Sequence, residues 1–330
     1  MSASFGLCAI GHAIVDVLAP GTDEFLTREN IAKGSMQLID TARAEELYAK
    51  MGSAVEASGG SAANTVAGYA SFGGKAAFMG KVADDELGRI FRHDLAALGA
   101  HFSTKPMAGT PTARCLIVVT PDSQRSMNTF LGAASEFAPG DLDAAVIAAS
   151  DIVYLEGYLF DRPKAQEAFF ETVKIARAAG KKLALTLSDT FCIARHKDKF
   201  HVLIESGIDI LFANQNELMA LAETSDVTQA IGIMRKKCPL LVTTMGEDGA
   251  IICRGEERVK IATEPVEKLI DSTGAGDQFA AGFLYGLAHG HDLATCGRLG
   301  AIAAAEVLGH FGPRPERSLA DLAREAGIKL

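Results

Sequence analysis

The sequence predicts an α/β fold: a three-layer α/β/α sandwich around a mainly parallel sheet, with a small β-strand lid. Three observations predict it. Short apolar runs of strand length alternate with segments of helical period through most of the 330 residues. Glycine-rich turns open two of the helices. Two stretches, 16–40 and 110–131, break the alternation and carry turn and hairpin signals instead. Strands that are apolar throughout, with helices between them, need cover on both faces, and parallel sheets have that arrangement.

Residues 5–11 are apolar but lack the basic start and long apolar stretch of a signal peptide, so they read as the first strand. Residues 16–40 carry turn signals and close in the alternating run Ser35-Met-Gln-Leu-Ile-Asp40. A helix is expected over 62–72, a strand over 76–80 and a helix over 86–98. Segments 113–120 and 125–131, divided by Pro121-Asp-Ser123, have hairpin grammar and are too polar for the centre of a parallel sheet. With 16–40 they are expected to form the lid on a single domain spanning 1–330; an ordinary edge hairpin is the plainer alternative. Strands over 152–156, 183–187, 208–212 and 240–244 then alternate with helices over 164–179, 200–205, 217–222 and 227–236. The last expected helix, 275–287, is apolar and follows a glycine-rich turn.

Composition excludes several function classes. A hydrophobic content of 48% suffices for a large core. A formal charge of -9 argues against nucleic acid or an anionic membrane as partner. The six cysteines are scattered without a Cys-x-x-Cys pair, which fits reduced thiols in a cytoplasm better than disulfides or a zinc site. The run 301–308 is short and contains Glu306, far from the length that spans a bilayer. A cytoplasmic protein with no membrane partner is expected.

Asp271-Ser-Thr-Gly-Ala-Gly-Asp277-Gln-Phe279 is the most informative stretch. The first turn of a helix leaves N–H groups unpaired and carries partial positive charge, so anions gather there. Glycines let a phosphate approach those groups without a Cβ in the way. Asp277 adds a carboxylate able to take a proton from an attacking hydroxyl. An acid in a first turn also merely complements the helix dipole in many proteins. Two other phosphate motifs are excluded. A dinucleotide fingerprint needs a small residue where Phe279 stands, and Gly74-Lys75 is followed by Ala76 where a Walker loop needs Ser or Thr.

A second constellation, Ser58-Gly-Gly-Ser-Ala-Ala-Asn64, opens the 62–72 helix. Gly59 and Gly60 permit close backbone approach to a ligand. Asn64 donates and accepts, and Asp16 lies just beyond the first strand, so together they suit a vicinal diol. Helix-start bonding and a turn are their ordinary alternatives. Asn214-Gln-Asn-Glu217 begins another helix, where Glu217 suits the water shell of a magnesium–triphosphate complex or, more plainly, complements a helix start. Thr244 and Gly246 sit in a strand-end turn that suits nucleotide phosphates.

Taken in order, these motifs resemble the ribokinase (PfkB) family of carbohydrate and nucleoside kinases over nearly the whole chain. Within it the adenosine kinase branch is the most similar, through Pro111-Thr-Ala-Arg-Cys115, Asp122-Ser-Gln-Arg-Ser126 and Leu185-Thr-Leu-Ser-Asp-Thr-Phe191. The resemblance implies transfer of a phosphoryl group from ATP, with Mg²⁺, to the 5′-hydroxyl of a nucleoside. It makes Asp277 the base and the N–H groups of Gly274, Ala275 and Gly276 the anion hole. It puts Asp16, Asn64, Gly60 and Ser61 around the ribose, and Gln37, Cys115, Met127 and Phe160 around the base. It assigns Asn214 and Glu217 to the magnesium-bound phosphates, Thr244 and Gly246 to the donor nucleotide, and Asp271 with the Thr273 carbonyl to a monovalent cation such as K⁺. Arg125 is brought toward the transferred phosphate. The family also includes sugar kinases acting on fructose, ribose or a keto-deoxy sugar acid, and both monomers and homodimers. Thr273, His12 and Ala301 depart from common family residues, and Glu306 interrupts an apolar helix.

Overall fold

Strand β1 (Phe5–Ile10) divides its side chains between two cores. Leu7 and Ala9 enter one, Cys8 and Ile10 the other. Successive strand residues point to opposite faces, so a strand apolar throughout requires helices on both sides. The computed structural model, which describes residues 5–122 and 124–330, has that arrangement. Ser123, in the turn of the expected hairpin, lies outside the described residues.

In chain order there follow β2 (Ile14–Pro20), β3 (Met36–Leu38), β4 (Val55–Gly59), β5 (Ala76–Met79), β6 (Ala113–Val119) and β7 (Arg125–Phe130). The second half adds β8 (Ser150–Glu156), β9 (Lys182–Thr186), β10 (Ile210–Asn214), β11 (Leu240–Thr244), β12 (Ala250–Arg254) and β13 (Glu257–Ile261). The main sheet has eight strands in the order β13-β12-β11-β10-β9-β8-β1-β5. It is parallel from β5 to β11, with β12 and β13 added antiparallel at one edge. All six strands of the parallel part were expected from their apolar runs. The β12–β13 hairpin was not, because its outer strand alternates with charged residues. From β1 the chain goes to β5 on one side and later to β8 on the other, so a crevice opens at the carboxyl ends of β1 and β8.

A second, five-stranded sheet has the order β3-β7-β6-β2-β4. The segments 16–40 and 110–131 supply β3, β6, β7 and most of β2. Val55–Gly59, which completes the sheet as β4, was not read as a strand. Asp16 therefore stands within β2, paired opposite Ala57 and Cys115.

Helix Ala275–Ala288 is apolar on nearly every side and is buried accordingly. It packs between helices Ser61–Ser71 and Leu293–Leu308 through residues that carry no Cβ. A Cβ on Gly68 would lie 2.0 Å from Gln278 Oε1 and 2.7 Å from the Ala281 Cβ. One on Gly282 would lie 2.4 Å from the Leu299 carbonyl. This close approach brings the starts of two helices side by side. Thr41–Lys50 and Leu319–Glu325 were not anticipated as helices, the apolar helix around Glu306 runs over Leu293–Leu308, and the expected 200–205 helix is the end of a longer one, Thr190–Glu205, kinked at His196. Among the described residues no helix is long and apolar enough to cross a membrane. All six cysteines are unpaired and buried.

Candidate active site

The two helix starts depend on glycines in left-handed or otherwise strained backbone. Gly60 (φ 93°) precedes Ser61–Ser71, and a Cβ there would meet the His12 carbonyl at 2.3 Å. Gly274 (φ 80°) precedes Ala275–Ala288 and packs against Pro313. Asp277, in the first turn of the second helix, is held by the first: Ser61 Oγ donates to Oδ1 at 2.6 Å and Asn64 Nδ2 to Oδ2 at 3.1 Å. The position at a helix start by itself favours an ionised carboxylate at neutral pH. Burial instead pushes its pKa up to about 7, against the lowering effect of the Ser61 and Asn64 hydrogen bonds and helped by the negative Glu156 and Glu217. A group balanced near neutrality is suited to taking up a proton.

Asp277 faces a cleft of about 1260 Å³ between the two sheets. Gly274 and Gly276 line it beside the acid, and a Cβ on Gly276 would meet nothing within 4 Å. The Ala275 N–H donates to the Ser272 carbonyl at 3.3 Å, a long bond. The first intrahelical bond is that of Gln278 to Gly274, which leaves the start of the helix open to an anion.

On the side of the second sheet, Asp16, Gly60, Ser61, Asn64, Cys115 and Met127 all line the cleft. Asp16 lies against Gly59, where a Cβ would be 2.4 Å from its Oδ2. Burial raises the Asp16 pKa to about 6, and the charges of Arg314 and Arg125 oppose the rise. Two expected residues lie elsewhere. Gln37 points away from the cleft and donates to Asn128 Oδ1 at 2.6 Å, because strand residues alternate; its neighbours Met36 and Leu38 face the cleft instead. Phe160 is fully buried among Phe169, Phe170 and Phe200 in the core beneath the main sheet.

At the ends of β10 and β11, Asn214, Glu217 and Thr244 line the other part of the cleft, while Gly246 does not. Asn214 and Glu217 cap each other: Glu217 N donates to Asn214 Oδ1, and Asn214 N and Nδ2 donate to the Glu217 carboxylate at 2.9 and 2.6 Å. Burial pushes Glu217 up to about 7. No group of three or more acidic, His or Cys side chains among the described residues is arranged to hold a metal. Glu217 at this end of the cleft suits Mg²⁺ that arrives on nucleotide phosphates and keeps its waters.

The Asp271 carboxylate, expected beside a monovalent cation, is engaged by protein donors. Asp271 Oδ1 accepts from the Thr273 N–H and hydroxyl at 3.1 and 2.8 Å. Its Oδ2 accepts from Gly312 N at 3.1 Å and pairs with Arg125 Nη1 at 2.9 Å. The carboxylate is filled by protein donors, one of them a fixed positive charge. Arg125, brought toward the transferred phosphate by the resemblance, is held by this pair at the rim of the cleft.

The sequence reading missed Arg314. Its Nη1 donates to Ser58 Oγ at 2.5 Å and its Nε to Asn64 Oδ1 at 3.4 Å. Burial lowers its pKa to about 10. No local motif surrounds it; the one signal was Glu306, the acid that interrupts an apolar helix. Glu306 Oε1 accepts from Glu316 N and Arg317 N at 3.0 and 2.9 Å and so anchors the loop that carries Arg314. His12 and Glu156, at the crevice between β1 and β8, form a buried pair at 2.9 Å.

A family model described as pfkB family carbohydrate kinase matches residues 28–318. The chain belongs to that family. This pfkB-family protein is an ATP-dependent kinase, with the ribokinase-like fold. It is 51% identical to adenosine kinase from Sinorhizobium meliloti, with a TM-score of 0.91 over 98% of this chain and 100% of that one. It is 46% identical to a probable sugar kinase from Rhizobium etli CFN 42, with a TM-score of 0.92 over 99% and 100%. Adenosine kinase from Saccharomyces cerevisiae is 24% identical over 93% of this pfkB-family chain and 96% of the yeast protein.

Proposed function

We propose that this kinase transfers the γ-phosphoryl group of ATP to the 5′-hydroxyl of adenosine or a closely related nucleoside, giving AMP and ADP. One observation carries the reading: the Asp277 carboxylate, gripped by Ser61 and Asn64, opens into the same cleft as Asp16. Asp16 accepts from the ribose hydroxyls, and Asn64 and the backbone at Gly60 and Ser61 complete that end. Cys115 and Met127 flank the nucleobase with Met36 and Leu38. Asp277 takes the proton as the hydroxyl oxygen forms its bond to phosphorus and the bond to the ADP oxygen breaks. The N–H groups at Gly274 and Gly276 face the charge that develops on the phosphoryl oxygens. Asn214, Glu217 and Thr244 serve the donor phosphates, and Mg²⁺ carried on those phosphates neutralises part of their charge. The second sheet acts as a lid that excludes water and limits idle hydrolysis of ATP. The 51% identity to an adenosine kinase supports the choice of acceptor.

A coupled assay of ADP release over a panel of nucleosides and sugars tests the proposal. Adenosine should have the highest kcat/KM. Faster turnover of fructose, ribose or a keto-deoxy sugar acid would replace it with a sugar kinase reading, to which the likeness to a probable sugar kinase also lends itself.

A further inference from the structure

Arg314 reaches into the cleft with a donor to spare. Its Nε and Nη1 are committed to Asn64 and Ser58, but its buried Nη2 has no hydrogen-bond partner among the described residues. A buried donor left unpaired is unfavourable until an oxygen meets it. The side chain is also firmly presented. Gly312 N donates to Asp271 at 3.1 Å, Gln278 Nε2 to the Pro313 carbonyl at 2.8 Å, and Glu316 and Arg317 to Glu306. A loop tied at each of these points holds its guanidinium in a set direction.

The neighbour of that free donor is a free acceptor. Strand β4 brings them together: Ser58 takes Arg314 Nη1, and the adjacent Gly59 lies against Asp16 Oδ2. Asp16 accepts no hydrogen bond from the described residues and faces the same cleft. One negative and one positive group side by side are neutral as a unit. A neutral vicinal diol matches them, because its protons suit the carboxylate and its oxygen lone pairs suit the guanidinium. An anionic ligand would gain Arg314 but would face both Asp16 and Asp277.

We propose that Arg314 is a specificity-determining residue for the acceptor: its Nη2 donates to the oxygen of a ribose hydroxyl whose proton Asp16 accepts, while Nε and Nη1 steady Asn64 and Ser58. This rests on the nucleoside reading above.

The test compares adenosine, 2′-deoxyadenosine and 3′-deoxyadenosine as acceptors, with the full chain as wild type, Arg314→Met and Arg314→Lys. Wild type should lose about 10-fold or more in kcat/KM on at least one deoxy analogue. Arg314→Met should raise the KM for adenosine by about 10-fold or more and shrink that deoxy penalty to within about 2-fold. Arg314→Lys keeps the charge but not the planar fork, and should fall between the two; it decides the matter if the Met variant does not fold. A deoxy penalty absent from wild type, or undiminished in the variants, overturns the proposal and leaves Arg314 a structural residue. If wild type turns over a sugar and no nucleoside, the nucleoside reading fails, and the same comparison on that sugar and its deoxy analogues decides Arg314. A preferred acceptor bearing a carboxylate, whose turnover alone collapses in Arg314→Met, overturns the assignment to a hydroxyl.

Discussion

Arg125 Nη1 lies 2.9 Å from Asp271 Oδ2 and joins β7 of the second sheet to the turn that leads into the Asp277 helix. The side chains are only 10% and 8% exposed, so this is a buried pair and not a solvated surface contact. Arg125 also lies over the Phe311 ring, 5.2 Å from its centroid. The pair ties the second sheet to the glycine-rich turn ahead of helix Ala275–Ala288.

A fixed guanidinium already supplies positive charge at Asp271, so turnover should be the same with potassium or choline chloride at equal ionic strength. Arg125→Met should destabilise the fold by about 3–5 kcal/mol, the usual cost of an uncompensated buried charge, and should make the residual rate respond to potassium. ADP-release rates in the two salts check the potassium dependence, and denaturant unfolding checks the stability. Strong potassium stimulation of wild type would show that the pair does not replace the cation.

Asp277→Asn should lower kcat by at least about 100-fold, the lower range for loss of a general base, with adenosine binding little changed. Calorimetry and single-turnover kinetics separate the two effects. Retained turnover would mean that a different group accepts the proton.

Asp277 also predicts a pH dependence. Its folded pKa, about 7, lies above the ordinary 3.8. The folded state therefore holds a proton that the unfolded chain has lost, and the resulting stability is full below about pH 4. It is lost as the pH rises through about 7, and the raised Glu217 acts in the same direction. Wild type should become less stable from pH 5 to pH 8, and Asp277→Asn should remove roughly 2–4 kcal/mol of that decline. Over the same range kcat/KM should rise as the base deprotonates. Denaturant titrations at several pH values give the first result and a pH–rate profile the second; a flat profile would count against Asp277 as the base.

Glu306→Ala should release the loop that carries Arg314. Losing bonds to a charged acceptor is expected to cost about 2–3 kcal/mol, measurable by denaturant unfolding. The KM for adenosine should rise more than kcat falls. An unchanged KM would separate the loop's anchorage from acceptor binding.

Much of the fold was legible in the sequence, for local reasons. The six parallel strands announce themselves as apolar runs, and Gly60 and Gly274 mark helix starts that only glycine turns permit. β4 was hidden because its residues are small or polar, and the last hairpin because its outer strand, β13, alternates with charged residues; neighbouring strands complete both. Gln37 and Phe160 were placed at the cleft by resemblance. Gln37 is turned away by the two-residue period of β3, and Phe160 belongs to the core.

The sequence by itself determined the layered sheet, the glycine turns and the presence of Asp277, Asn64 and Asp16, because turn chemistry and hydrophobic period act over a few residues. Only the tertiary structure decided what those groups touch. Gly68 lets two helices approach until Ser61 and Asn64 grip Asp277, and Arg125 and Arg314 arrive from distant segments. Burial then moves Asp277 toward neutrality, against the helix-start expectation, because removing a carboxylate from water outweighs the hydrogen bonds that hold it.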